Sequence, residues 1–245
     1  MDFISIEKAG FEAWPAFEQH DRDGWIIRFA EGYTKRANSV NPLTNAGNSV
    51  EKQIINYEEE YNHRKLPCIF RLLSFNDNSQ IETILDSRGY NRDDHSLVLV
   101  QELQSKEFVS TSLERLEVDE WMTCYCELSK KNIEDHNTHI KMINRIKDGI
   151  LLVVLRRASK EVSCGLGVIH NGIFGIFDIV THNEYRNKGC GTELINGMLS
   201  WAVYNGAHTA YVQVVAENRP AINLYKKLGY IPGYEYYYKI QNYKR

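Results

Sequence analysis

Arg186, Gly189 and Gly191 stand in the order R-x-x-G-x-G, inside the segment Asp178-Ile-Val-Thr-His-Asn-Glu-Tyr-Arg-Asn-Lys-Gly-Cys-Gly-Thr-Glu-Leu-Ile195. An apolar run of strand length leads into this loop, and an amphipathic helical pattern leaves it at once. Such a strand-to-helix turn leaves backbone N–H groups without partners at a helix N-terminus, where the peptide dipoles favour an anion. The chemistry this allows is the holding of a phosphate or pyrophosphate. Two glycines let the backbone approach those oxygens closely, and Arg186 and Lys188 add positive charge. The same residues could equally make no more than a tight turn. The spacing is the reverse of the dinucleotide fingerprint G-x-G-x-x-G, and no G-K-[ST] follows, which disfavours a dinucleotide site and a P-loop.

A second cluster, Val214-Val-Ala-Glu-Asn-Arg-Pro-Ala-Ile-Asn-Leu-Tyr-Lys-Lys-Leu-Gly-Tyr230, puts Asn218 at a strand end and Tyr225 on a short helix. Tyr225 has a phenol to offer as an acid, and at this helical spacing it is also an ordinary core aromatic.

The elements that position these clusters are legible in the second half of the chain. Ile150 to Arg157 and Ser163 to His170 read as strands, and Asn171-Gly172 joins the latter to a strand at Ile173 to Thr181 by a two-residue hairpin. Thr192 to Tyr204 carries Leu194, Ile195, Met198, Leu199, Ala202 and Val203 on one helical face, with Asn205-Gly206 as its stop. A strand at Tyr211 to Val215, a helix at Pro220 to Leu228 with proline in its first turn, and a strand at Tyr234 to Ile240 follow.

Together the two clusters, with the helix and strand between them, resemble the two signature motifs of the GNAT superfamily of N-acetyltransferases, over roughly residues 150 to 240. The resemblance implies an α/β fold with a mixed sheet flanked by helices, and acetyl-CoA as co-substrate with no metal. It implies that backbone groups of Ile179, Val180 and Thr181 pair with the pantetheine arm, and that Arg186, Asn187, Lys188, Gly189, Cys190, Gly191 and Thr192 surround the pyrophosphate. Asn218 would hydrogen-bond near the pantetheine, and Tyr225 would return a proton to the leaving thiolate. The implied reaction is acetyl transfer to a primary amine by direct attack in a ternary complex. Cys190 is read as a small residue at a helix start and not as an acyl carrier.

The base that deprotonates the amine is not evident. Asp178 is the only acidic residue of the strand before the loop, but strict alternation groups Phe177 with Ile179 on one face and turns Asp178 to the other. A structural role is therefore expected for Asp178. His182, in the loop, is expected to be solvated.

The first half alternates helix and strand: helix Lys8 to His20, tolerating Pro15, strand Trp25 to Ala30, helix Ser49 to Arg64, strand Cys68 to Leu73, helix Ser79 to Ser87 and strand Ser96 to Gln101. Ile84-Leu-Asp-Ser-Arg-Gly-Tyr90 followed by a strand echoes Leu224-Tyr-Lys-Lys-Leu-Gly-Tyr230 followed by a strand. The echo points to a degenerate acetyltransferase-like unit that lacks R-x-x-G-x-G. The expected division is 1–105 for that unit and 113–245 for the catalytic one, with the boundary in the polar stretch Glu102 to Ser112. Across the whole chain the sequence is similar to bacterial two-part GNAT proteins that share G-W-x-x-R-F-x-x-G-Y-T-x-R-A-N-S, here from Gly24 to Ser39. Arg28, Arg36, Asn38 and Ser39 are either acceptor-binding residues or partners of their own loop backbone.

Composition narrows the partners. The 245 residues carry 29 basic and 32 acidic side chains, a net charge of −3, without a basic block, which argues against nucleic acid. No run approaches the about 18 apolar residues of a membrane span. The N-terminus lacks the basic flank and apolar run of a signal peptide, so the protein is read as cytoplasmic. Five irregularly spaced cysteines argue against a disulfide framework and a zinc site. The expected acceptor is a small-molecule amine, a protein or peptide amine being the alternative beside a non-catalytic acyl-CoA-binding module. The sequence leaves the oligomeric state, a homodimer included, open.

Overall fold

A computed structural model describes residues 2–44, 49–103, 108, 111–147 and 149–241. In chain order the elements are α1 (Phe3–Ala13), β1 (Glu18–Arg22), β2 (Trp25–Phe29), β3 (Val40–Pro42), α2 (Val50–His63), β4 (Ile69–Leu73), α3 (Ser79–Ser87) and β5 (Tyr90–Glu102). After them come β6 (Glu114–Arg115), α4 (Val118–Ser129), α5 (Asn137–Ile143), β7 (Ile150–Arg157), β8 (Lys160–His170), β9 (Ile173–Thr181), α6 (Cys190–Tyr204), β10 (Thr209–Val215), α7 (Arg219–Lys227) and β11 (Ile231–Gln241). Most of the expected boundary stretch, residues 104–107 and 109–110, lies outside the described residues.

The elements fall into two compact units whose limits do not follow a single cut in the chain. One comprises residues 1–15, 99–214 and 218–232, the other 16–98, 215–217 and 233–245. Helix α1 therefore belongs with the second half of the sequence, and most of β11 with the first half, which the expected division at 1–105 and 113–245 did not foresee.

In the larger unit the sheet runs β10-β9-β8-β7-β6. Its strands are antiparallel except for β9 and β10, which pair in parallel from Thr209 opposite Ile173 to Val212 opposite Ile176. The parallel pair requires a crossover, and α6 supplies it. Asn171 and Gly172 both have positive φ, +48° and +74°, as the expected hairpin demands. The central residues of β7 and β8 and the first five of β9 are buried, so these stretches read as largely apolar runs. Gly165 and Gly167 on β8 leave room for packing: a Cβ at Gly165 would stand 2.5 Å from Ile179 Cδ1 and 3.0 Å from Met198 Sδ. Helix α6 buries Leu194, Ile195, Met198, Leu199 and Ala202, while Val203 is left exposed, one position short of the expected stripe.

The smaller unit is also mixed, in the order β1-β2-β3-β4-β11, with β3 and β4 parallel. Its core joins Trp25, Ile27 and Phe29 to Tyr57 and Tyr61 of α2, Phe70 and Leu72 of β4, and Leu85 of α3. The order of three strands, helix, strand, helix, strand from β1 to β5 repeats that from β7 to β11. Two expectations are corrected here. The first helix ends at Ala13, ahead of Pro15, because proline cannot supply a helical N–H and its predecessor avoids helical backbone. Residues 18–20, read as helix, instead begin a solvent-exposed strand.

Candidate active site

The site is built in the larger unit from the ends of β9 and β10 and the starts of α6 and α7. Pairing of β9 with β10 stops at Ile176 and Val212, although β9 continues to Thr181 and β10 to Val215. The two strands part, and the edge of β9 from Phe177 onward faces a gap.

A bulge accompanies the parting. Across from β8, Leu166 pairs with Phe177 and Cys164 with Val180, so two residues of β9 oppose one of β8. Asp178 takes the strain, with φ of +51°, a left-handed conformation sparsely used by residues other than glycine. The consequence corrects the alternation argument. Phe177 packs on Trp14, ring centroids 5.6 Å apart, and Asp178 Oδ2 lies 3.3 Å from His139 Nε2, whose ring is 4.7 Å from Trp14. Phe177 and Asp178 thus share the face covered by α1 and α5, and Ile179 turns to the other, over Gly165 and Met198.

Beyond the bulge, Ser163 Oγ donates to Val180 O at 2.7 Å, and His182 N donates to Val162 O at 2.9 Å, both on the β8 side. Strand alternation then sends the backbone groups of Ile179 and Thr181 toward the gap. Of the three residues expected to pair with a pantetheine arm, Val180 faces β8, with its carbonyl accepting from Ser163 Oγ. Thr181 O also accepts from Arg186 Nε at 3.3 Å, anchoring the loop to the strand end. His182 is not simply solvated: its Nδ1 accepts from Glu184 N at 3.3 Å and caps the short helical turn Asn183–Tyr185.

Gly189 is the N-cap of α6, with φ of +84°, which explains a glycine there. The first intrahelical bond runs from Glu193 N to Gly189 O at 3.0 Å, so the N–H groups of Cys190, Gly191 and Thr192 precede the ladder. Gly191 has no such backbone reason. A Cβ added there would stand 3.5 Å from both Leu224 Cδ2 and Thr181 Oγ1, an ordinary contact. The fold therefore tolerates a side chain at 191. The same distances show β9, α6 and α7 converging at this point. Asn187, Lys188 and Arg186 are exposed, Asn187 with φ of +59°, while Cys190 is buried beneath the first turn.

On α7, Asn218 is the N-cap, its Oδ1 accepting from Ala221 N at 3.2 Å. The cap uses the carbonyl only, so the amide N–H groups can still donate to a ligand. Tyr225 is buried against Tyr230, ring centroids 5.4 Å apart. Burial pushes its phenol well above the usual tyrosine value, so it keeps its proton at any ordinary pH.

Of the residues singled out in the first half, Asn38 and Arg28 hydrogen-bond within the smaller unit. Asn38 Oδ1 accepts from Ala30 N and Gly32 N at 2.7 and 2.9 Å, and its Nδ2 donates to Thr34 O at 2.8 Å. Arg28, fully buried, donates to Gln19 Oε1 and to Arg36 O at 2.9 and 2.8 Å. Both bind their own loop, which favours the second of the two roles left open for them; Arg36 is half-buried and Ser39 fully buried.

Sequence reading missed His139, Trp14 and Ser163, because nothing local marks them: each matters through a contact with a strand far along the chain. All five cysteines are buried free thiols. Among the described residues no group of three or more His, Cys, Asp or Glu side chains is arranged to hold a metal, and no helix is long and apolar enough to cross a membrane.

Comparison with known proteins agrees with this fold. A GCN5-related N-acetyltransferase from Kribbella flavida superposes with a TM-score of 0.72 at 13% identity, over 98% of this chain and 95% of that one. A tandem GNAT protein from the clavulanic acid biosynthesis pathway superposes with a TM-score of 0.65 at 11% identity, over 96% and 86%. In sequence, an uncharacterized N-acetyltransferase, YobR of Bacillus subtilis, is 28% identical over 98% of this chain and 99% of its own. An N-alpha-acetyltransferase of Sulfurisphaera tokodaii is 42% identical over 57 residues, 22% of this chain and 34% of that protein. The model of the family described as probable histone acetyltransferase Rv0428c, C-terminal, matches residues 2–239. With nearly its whole length matched, the chain belongs to that family and is an acetyltransferase of the GNAT type.

Proposed function

We propose that the protein transfers the acetyl group of acetyl-CoA to a primary amine of a small molecule, by direct attack in a ternary complex. The observation that carries this reading is the parting of β9 from β10 beside a helix N-terminus with three N–H groups outside the helical ladder. The N–H groups of Cys190, Gly191 and Thr192, with Arg186, Asn187, Lys188 and Gly189 around them, hold the pyrophosphate; the opened edge of β9 pairs with the pantetheine amides through Ile179 and Thr181. Asn218 donates to the arm from the other side of the gap.

In the reaction a neutral amine attacks the thioester carbonyl, and an N–H of the β9 edge meets the developing oxyanion. As the C–S bond breaks, Tyr225 donates to the sulfur. A phenol raised by burial is a weaker acid than a thiol, so it stabilises the thiolate by a hydrogen bond, and the proton that completes the thiol comes ultimately from solvent. Asp178, brought to the same face as Phe177 by the bulge, takes the proton of the incoming ammonium. The smaller unit, with the repeated element order and no R-x-x-G-x-G, is read as a degenerate acetyltransferase-like unit. Five free thiols support the cytoplasmic reading.

A second reading, a protein or peptide amine as acceptor, is favoured by the description of the matched family and by the N-alpha-acetyltransferase relative. The test begins with calorimetric titration of acetyl-CoA into the protein and a Gly191→Glu variant. Glutamate in the first turn suits the helix dipole and fits the space, so the variant folds, but its charge repels a pyrophosphate. Binding to the parent and its loss in the variant support the site; a parent that binds no acetyl-CoA at millimolar concentration sinks it. Thiol release with an amine library, against release with lysine-containing and free N-terminal peptides, then separates the two acceptor classes.

A further inference from the structure

His139 is a charged-type side chain in an apolar place. It is 1% exposed, lies on α5, and approaches Asp178 to 3.3 Å, while the Asp178 side chain keeps 16% of its surface open. The carboxylate thus has an outward side, and the imidazole stands behind it. Three aromatic rings fix the imidazole: Trp14 at 4.7 Å between centroids, with the edges of Trp121 at 6.4 Å and Tyr125 at 6.3 Å. Trp121 is itself pinned by a hydrogen bond from its Nε1 to Gly165 O at 3.1 Å.

We infer that His139 is a positioning residue, which holds the Asp178 carboxylate at the bulge in the orientation that accepts the acceptor's proton. This deepens the proposed function and rests on Asp178 as the base. The charge state of the imidazole suits the task. Burial pushes its pKa down to about 3, and the neighbouring His136 and Lys131 push the same way, so it is neutral at working pH. A full positive charge beside a carboxylate lowers the carboxylate's pKa by about 1–3 units and makes it a poor base. A neutral imidazole orients the oxygen without that loss. Facing His139 are Asp178 from β9, His136 from the preceding turn, Lys131 beyond α4, and the uncharged Trp14, Trp121 and Tyr125.

The step balances simply. The ammonium gives one proton to Asp178; the freed amine forms the C–N bond as the C–S bond breaks; the second proton that its nitrogen sheds to become an amide passes to solvent and is matched by the one that completes the thiol, and Asp178 returns its own proton to solvent. Water attacking in place of an amine loses its proton to the same carboxylate, so acetyl-CoA alone serves as a probe.

The experiment compares His139→Leu, which removes the polar contact at 3.3 Å, with His139→Gln, whose Nε2 can reach the same oxygen, and with His139→Asn, which is too short. Each is measured for acetyl-CoA affinity, for kcat of thiol release with water or a screened amine, and for the acidic limb of the kcat profile. The Leu and Asn variants should lose about 10- to 100-fold in kcat, bind acetyl-CoA within twofold of the parent, and show the acidic limb at higher pH. Gln should restore kcat and the limb. If Leu fails to fold, the Asn and Gln pair decides alone. An unmoved limb, or a loss that Gln does not recover, overturns the inference and leaves His139 a core residue. A parent that does not bind acetyl-CoA overturns the site reading instead.

Discussion

Phe177 and Asp178, adjacent in sequence, project from the same face of the sheet, because Asp178 sits in a bulge with φ of +51°. The bulge splays β9 from β10 and delivers a carboxylate to the α5 face in one step. It also makes the backbone at 178 testable apart from the side chain.

Asp178→Gly keeps the left-handed backbone without strain, so it should unfold in urea within about 1 kcal/mol of the parent. Asp178→Val forces a β-branched residue into that region and should cost about 2 kcal/mol. Both variants should lose turnover. Equal stability of the two would mean that the bulge is not retained in solution.

Asn218 has two separable duties, a cap through Oδ1 and a donor through Nδ2. Asn218→Ala should lose about 1 kcal/mol of stability and weaken acetyl-CoA binding. Asn218→Asp should recover the stability, since a carboxylate caps as well, but not the affinity, since it cannot donate. Denaturation and calorimetry on the same samples check the split; recovered affinity in the aspartate variant would reduce Asn218 to a cap.

Removing the hydroxyl of Tyr225 should lower kcat about 100-fold while leaving acetyl-CoA affinity unchanged. An alkaline signature accompanies it. Tyrosine in the unfolded chain ionises near 10, whereas burial keeps Tyr225 and Tyr230 protonated well above that. The raised folded values contribute stability that is complete below pH 10 and is lost as pH climbs beyond it. Tyr225→Phe should therefore lose stability less steeply above pH 10 than the parent, as read by thermal unfolding.

Acid should act through His139. Its folded pKa of about 3 lies below the ordinary 6.5, so the unfolded chain takes up a proton that the folded one refuses. The contribution is complete above pH 6.5 and is lost as pH falls toward 3, the loss having reached about 2 kcal/mol by pH 5. His139→Gln should flatten the stability profile between pH 7 and 4. A profile as steep as the parent's would place the acid sensitivity elsewhere, beginning with His136, which burial also lowers.

Most elements of the second half were legible because their signals are local. Alternating and continuous apolar runs mark β7 to β9, Asn171-Gly172 accepts the positive φ of a two-residue turn, and Gly189 marks the entry to α6. What was missed has no local signal. Helices α4 and α5 carry the aromatic and histidine nest around Asp178, and their pattern alone does not say which strand they cover. Pro15 was wrongly carried inside a helix although its own chemistry forbids it there.

By itself the sequence determined the loop that can meet an anion, the cap and tyrosine of α7, and the succession of strands and helices, since these depend on residues within a few positions of one another. The tertiary structure alone decided that α1 joins the second half of the chain, that β9 parts from β10 after Ile176, and that Asp178 faces His139. Those outcomes depend on a single extra residue in one strand and on contacts between distant segments. Period-two alternation holds only while a strand is regular, so a bulge, which changes no residue type, reverses every side-chain direction after it.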